Sequence, residues 1–157
     1  MNSNVPPQPG YAPSQPVFPI NVQPWTTGLC DCFEEPTNCI ITCCLPCITF
    51  GRNAEIIDRG STSCASNAFI YCVIGCTGCS CFYSYPYRTR LRGQFQLAEA
   101  PIGDCLLHCC CTSCALCQEH RELKNRGFDP TIGWQGKQGR SNYGANEPPP
   151  VQPDMKK

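Results

Sequence analysis

Seventeen cysteines in a chain of 157 residues constrain this fold more than any other feature. Such usage leaves three classes: a disulfide scaffold, a metal protein, or an acylated membrane protein. An odd number of thiols cannot pair completely within one chain. The N-terminus carries neither a basic n-region nor an apolar h-region, so no cleaved secretion signal is expected. Thiols on the cytosolic side stay reduced, which favours metal binding or lipidation over disulfides. They crowd together in residues 39–60, CIITCCLPCITFGRNAEIIDRG. There Cys39, Cys43, Cys44 and Cys47 surround one proline before the chain turns charged and helix-like.

Twelve basic and twelve acidic side chains balance, and no basic stripe is present, so nucleic acid is not an expected partner. The length suits one domain. Residues 1–24 hold seven prolines and no charged side chain, and residues 135–157 resemble them, with Pro148, Pro149, Pro150 and Pro153. Such segments bury too little surface to offset their ordering entropy, and both are expected to be disordered tails. The ordered part, residues 25–134, reads as mainly α: a small, membrane-associated, cysteine-rich helical domain.

Local signals set the helices within it. Pro46 belongs in a first turn and predicts a helix start, with Gly60 as its left-handed stop. Glu55 and Arg59 stand at i,i+4 inside that helix, a pair worth about 0.2–0.5 kcal/mol. Residues 60–87 carry no charge. A helix over 64–85 would reach about 33 Å, enough for a bilayer core. Phe69, Ile70, Val73, Ile74 and Phe82 favour insertion by about 1.5–3 kcal/mol, and Asn67, Thr77, Ser80, Gly75 and Gly78 offset much of that. Ala68, Cys72, Cys76, Ser80 and Ser84 recur every four residues, a small-residue stripe on which a second helix could pack. Arg88, Arg90 and Arg92 weakly favour a cytoplasmic flank. After a polar connection over 93–103, Asp104 is expected to cap a helix over 105–126, stopped by Gly127. Glu122 and Arg126 pair within it. Its first half is apolar and sulfur-rich and its second half charged, as if it dips into an interface and emerges.

Helical spacing of i, i+4 and i+7 puts Cys110, Cys114 and Cys117 on one face, and likewise Cys72, Cys76 and Cys79. Cys39, Cys43 and Cys47 would follow a similar line but for Pro46. His108 could share a face with Cys105 and Cys111. Three thiolates on one face suit zinc, cadmium or Cu(I). Packing alone is the stronger explanation for Cys72 and Cys76. S-acylation competes for Cys79, Cys81, Cys105 and Cys109. Redox catalysis lacks the expected strand–helix alternation around Cys44 and Cys47, and nothing singles out a nucleophile for Cys–His hydrolysis. Glu55 and Asp58 read as a solvated helix face rather than a cation site.

Three segments carry a resemblance: W-x2-G-L-C-D-C-F over 25–33, PCITFGRNAEIIDRGSTSC over 46–64, and CALCQEHRELKNRGFDPTIGW over 114–134. Together they resemble the cysteine-rich domain of the plant cadmium resistance and fruit-weight or cell-number-regulator proteins, related to cornifelin and the placenta-specific family. That family's signature is CC-x4-CPC. Cys39 and Cys47 match it, whereas Ile40 and Leu45 replace cysteines, and Cys43 and Cys44 stand where bulky apolar residues are usual. The resemblance implies a self-associating plasma-membrane protein that affects cadmium or zinc export, with no catalytic activity. Some relatives are linked instead to organ size through cell number. The expected thiolate ligands are Cys39 and Cys47, then Cys43, Cys44, Cys110, Cys114 and Cys117. The expected partners are membrane lipid, divalent metal and further copies of the chain. The other reading is a membrane scaffold that limits proliferation.

Overall fold

Two prolines set the first helices. In the structure, a computed structural model that describes residues 22–99 and 101–136, a 3-10 turn (Asp31–Glu34) leads into α1 (Pro36–Cys44) and α2 (Pro46–Ile57). Each proline occupies a first turn, where its missing N–H leaves no bond unmade. Pro46 also keeps Leu45 out of the helical region (φ −137°, ψ 65°), and the two axes bend by 113° there. The helix start expected at Pro46 is present, with a separate helix before it. The stops also appear, since Gly60 and Gly127 have φ of +76° and +83°. Apart from 22–24 and 135–136, both tails lie outside the described residues. At the near end, Gln23 forms an isolated parallel bridge with Leu97.

The expected Glu55–Arg59 pair is replaced by another arrangement. Arg59 leaves the helix with φ +54°, and the Glu55 carboxylate accepts from the backbone N–H groups of Cys64 and Trp134, each at 2.9 Å. It therefore ties α2 to the next helix and to the C-terminal segment.

The single helix expected over 64–85 is corrected to two, α3 (Cys64–Gly75) and α4 (Ser80–Phe95), joined by a turn. The aromatic residues explain the break. Tyr71, Tyr83 and Tyr87 all pack on Phe50, with ring centroids 4.7, 5.3 and 5.1 Å away. On a straight helix Tyr71 and Tyr87 would lie about 24 Å apart. Asn67 reinforces the fold-back by accepting from both Tyr83 and Tyr87 hydroxyls, at 3.2 and 3.3 Å. Among the described residues no single helix is long and apolar enough to cross a membrane, and only the bent pair of α1 and α2 has the length and composition together.

Arg88, expected with Arg90 and Arg92 as a cytoplasmic flank of a span, is fully buried within α4. Its Nε lies 3.3 Å from Oδ1 of Asp104, its Nη1 3.4 Å from Oε1 of Glu119, and its guanidinium 4.1 Å above the Trp25 ring. Helix α4 runs through to Phe95, into the expected connection. Asp104 does not cap: it is the first residue of α5 (Asp104–Cys110), and its carboxylate turns inward to accept from Arg92 Nε (2.8 Å) and Thr89 (2.9 Å).

The helix expected over 105–126 is also two, α5 and α6 (Thr112–Asn125), broken at Cys111. The break brings His108 Nε2 to 2.9 Å from Oε1 of Glu119, although on one helix those residues would be about 16 Å apart. The i,i+4 pair of Glu122 with Arg126 is present at 2.6 Å. The charged half of α6, expected to emerge from an interface, instead runs through the middle of the protein. Gln118, Glu119, His120, Arg121 and Glu122 are each at most 3% exposed, beside a core of Phe50, Ala54, Leu91, Leu116 and Leu123. Phe33, Ile40, Phe69, Val73, Phe82 and Leu106 are each more than half exposed. Several charged groups thus lie inside, beside the apolar core, and several large apolar ones lie outside.

Candidate metal site

The buried polar side chains of α6 hold the loop before the 3-10 turn by its backbone. Glu122 accepts from the N–H and the hydroxyl of Thr26, at 2.8 and 2.7 Å. Gln118 donates to the carbonyl of Thr27 (2.9 Å), and Arg121 to that of Gly28 (2.7 Å). Asp31 closes the turn by accepting from the Gly28 N–H at 2.7 Å. These bonds carry Cys30 and Cys32 onto the thiol-bearing faces of α1 and α6. Cys39 and Cys43 stand at i,i+4 on α1, and Cys114 and Cys117 at i,i+3 on α6, so each helix contributes two sulfurs to one side. The six thiols line a cavity of about 320 Å³, together with Phe33 and Ser113.

The thiols are graded in depth. Cys30 and Cys43 are exposed, Cys39 and Cys114 half-buried, and Cys32 and Cys117 buried. Burial pushes the Cys117 thiol up to about 12, against a hydrogen bond with Thr42 that acts the other way; Cys32 and Cys39 add to the rise. Burial, then the neighbouring Cys32, pushes Cys114 up to about 11. Cys39 is raised by burial and by Cys43 beside it. These groups are therefore neutral thiols at pH 7, and a cation that binds them must displace protons. Every cysteine is a free thiol, with no disulfide. As the side chains stand, no group of three or more His, Cys, Asp or Glu among the described residues is arranged to hold a metal ion.

Of the seven cysteines expected as ligands, Cys39, Cys43, Cys114 and Cys117 line this cavity. Cys44 is exposed at the end of α1, Cys110 is exposed at the end of α5, and Cys47 lies partly buried against the Phe50 core. The breaks at Leu45 and Cys111 explain the division, because they end the helical lines that would have joined Cys43 to Cys47 and Cys110 to Cys114. A further break separates Cys72 from Cys79. Cys30 and Cys32 were not among the expected ligands. The only trace of them is the G-L-C-D-C-F segment, which marks them without saying which helix they meet.

His108 does not join Cys105 and Cys111. Its Nδ1 lies 2.9 Å from the Ser84 hydroxyl and its Nε2 2.9 Å from Glu119. This serine–histidine–carboxylate row is wholly buried, and it ties α4, α5 and α6 together. His120, hydrogen-bonded to Asn53 at 3.2 Å, is driven down to about 4 by burial. A second group of thiols lies elsewhere: hydrogen-bond contact with Cys81, then burial, with Cys105 beside it, pushes Cys109 up to about 12. Asp58 pairs with Arg90 at 3.0 Å.

Comparison with known proteins places the geometry in a family. Residues 25–122 match the PLAC8 family. Cell number regulator 10 of Zea mays is 54% identical over 111 residues, covering 70% of this chain and 71% of that protein. Protein PLANT CADMIUM RESISTANCE 12 of Arabidopsis thaliana is 47% identical over 131 residues, covering 83% and 81%. Protein PLANT CADMIUM RESISTANCE 6 of the same plant is 47% identical over 132 residues, and there the alignment spans 82% of this chain but 59% of the relative. No solved structure matches. The matched segment holds all six thiols of the cavity and the α6 residues that position the turn, and the chain belongs to the PLAC8 family.

Proposed function

We propose that this protein confers resistance to cadmium or zinc at the plasma membrane by taking the ion onto cysteine thiolates and supporting its export as a homo-oligomer. The observation that carries the reading is the convergence of six cysteines from three segments on one cavity. Thiolates select soft and borderline cations, and a wall without carboxylate or imidazole offers nothing to calcium or magnesium. Relatives named for cadmium resistance support the same reading. The exposed apolar side chains support lipid contact: α3 presents Phe69, Ile70 and Val73 outward, while buried charges neutralise one another inside. No catalytic step enters this function.

The test is cadmium tolerance and cell cadmium content in a sensitive host expressing the protein. Expression should raise tolerance and lower content, and replacing all six cavity cysteines by serine should remove both effects with the protein still at the membrane. Full tolerance in that variant would exclude the cavity from metal handling.

A second reading, a membrane scaffold that restrains cell number, draws on relatives named cell number regulators and on the unpartnered apolar face of α3. It predicts that the serine variant keeps its effect on proliferation.

A further inference from the structure

We infer that a second, polar cavity, where α1, α2 and α6 meet, binds a small hydroxycarboxylate, its carboxylate held by Arg52 and the start of α1 and its hydroxyl by Asn38 and His120. The site goes beyond metal handling and does not depend on it, since this cavity shares no lining residue with the thiol-lined one.

Two buried side chains on its wall carry polar atoms without partners. Asn38, the third residue of α1, is 7% exposed, and neither its Oδ1 nor its Nδ2 has a hydrogen-bond partner among the described residues. Burying an amide unbonded is costly, and native proteins rarely do so without something for it to meet. His120, 1% exposed, reaches Oδ1 of Asn53 through Nδ1 at 3.2 Å. The Asn53 amide N–H donates to the Leu116 carbonyl at 3.1 Å, so its oxygen is the atom turned to the ring and Nδ1 donates to it. Burial holds the imidazole neutral, which makes Nε2 an acceptor. Nothing among the described residues donates to it.

Charge selects the sign of the ligand. Glu34 and Glu35 also line the cavity, but each faces a cation: Lys124 lies 2.5 Å from Glu35 and Arg121 4.0 Å from Glu34. Arg52, on α2, has no ion pair or hydrogen bond among the described residues, so one positive charge is left over. Its planar fork of donors matches a carboxylate. The start of α1 adds to the same sign. The N–H groups of Thr37 and Asn38 precede the first bond of the helix, from the Cys39 N–H to the Glu35 carbonyl at 2.9 Å. Beside this anion site the acceptors Asn38 Oδ1 and His120 Nε2 require a hydrogen donor on the ligand. A hydroxyl supplies it without charge, whereas an ammonium would cancel the negative charge that Arg52 selects. A volume of about 320 Å³ suits a molecule of this size.

The test is isothermal titration of the purified full-length protein with L-malate, with succinate, which lacks only the hydroxyl, and with inorganic phosphate. The wild type should bind L-malate saturably, and succinate and phosphate roughly tenfold more weakly. Arg52→Gln, at a half-buried position, should weaken L-malate binding by roughly 10–100-fold with the fold intact. Asn38→Ala should weaken it too, yet leave the thermal midpoint of the ligand-free protein unchanged or higher, because it removes a buried amide that bonds to nothing. An asparagine with a purely structural role would lower that midpoint. Absence of saturable L-malate binding, succinate or phosphate binding as tightly as L-malate, or full L-malate affinity in Arg52→Gln would each overturn the inference. A lowered ligand-free midpoint in Asn38→Ala would overturn it as well.

Discussion

Nε2 of His108 lies 2.9 Å from Oε1 of Glu119, and both side chains are sealed from solvent. The same Glu119 oxygen lies 3.4 Å from Nη1 of Arg88, itself fully buried and flanked by Asp104 at 3.3 Å. One carboxylate therefore serves three helices. A buried charge that loses its counter-charge has no water to replace it. Glu119→Ala should destabilise the protein by about 3–5 kcal/mol, and Glu119→Gln by less. Chemical unfolding followed by helical circular dichroism measures both. Equal stability of the Ala variant would mean that the network contributes nothing to the fold.

Helices α2 and α3 approach closely at Gly51, where an added Cβ would stand 2.5 Å from the Cys64 carbonyl and 3.0 Å from Cβ of Ala68. Neither obstacle is the end of a flexible side chain. Gly51→Val should push α3 from α2 and cost about 1–3 kcal/mol. A fall in thermal midpoint with unchanged helix content in the folded state is the expected result.

Cadmium affinity should rise with pH. Cys114 and Cys117, at about 11 and 12, are protonated at neutrality, so the ion competes with protons for each sulfur. Proton release on binding, read in weakly buffered solution, checks this directly. The apo-protein should behave in the opposite sense. Thiols raised above their ordinary value of 9.0 favour the fold fully below that pH, and their contribution is lost as pH rises through the folded values. Stability of the metal-free protein should therefore hold to about pH 8 and fall between about pH 9 and 12. Replacing Cys117 by alanine should flatten that fall.

Phe69 and Val73 stand at i,i+4 on the outer face of α3, 70% and 53% exposed. Glutamate at both positions leaves the core untouched and places two charges on the apolar face. Membrane fractionation should show the double variant moving into the soluble fraction with its helix content intact. Unchanged partition would remove α3 from lipid contact.

Short-range chemistry in this chain was legible where it was steric. Pro46 starts a helix, and Gly60 and Gly127 end helices, because a proline ring and a left-handed backbone act within a few residues. The pairing of Glu122 with Arg126 was legible for the same reason. Errors arose where a continuous periodic pattern concealed a break. The uncharged run over 64–85 satisfies a span by length, yet Phe50, from another helix, gathers Tyr71, Tyr83 and Tyr87 and folds the run in two. Charge was misleading in the same way. Gln118, Glu119, Arg121 and Glu122 read as a solvated end of a helix, but their partners, Thr26, Thr27, Gly28 and Arg88, are too distant in sequence for any period to reveal.

By itself the sequence determined that this is a helical, thiol-rich chain, because composition and local dihedral rules require nothing beyond the chain's own neighbourhood. Only the tertiary structure decided which sulfurs meet. Cys32 and Cys117, 85 positions apart, line one cavity because α6 binds the backbone before the 3-10 turn from behind, whereas Cys44 and Cys47, three apart, lie on different helices, either side of the bend at Leu45. Proximity along the chain ends where a helix breaks, and proximity in space begins where buried polar groups must find partners.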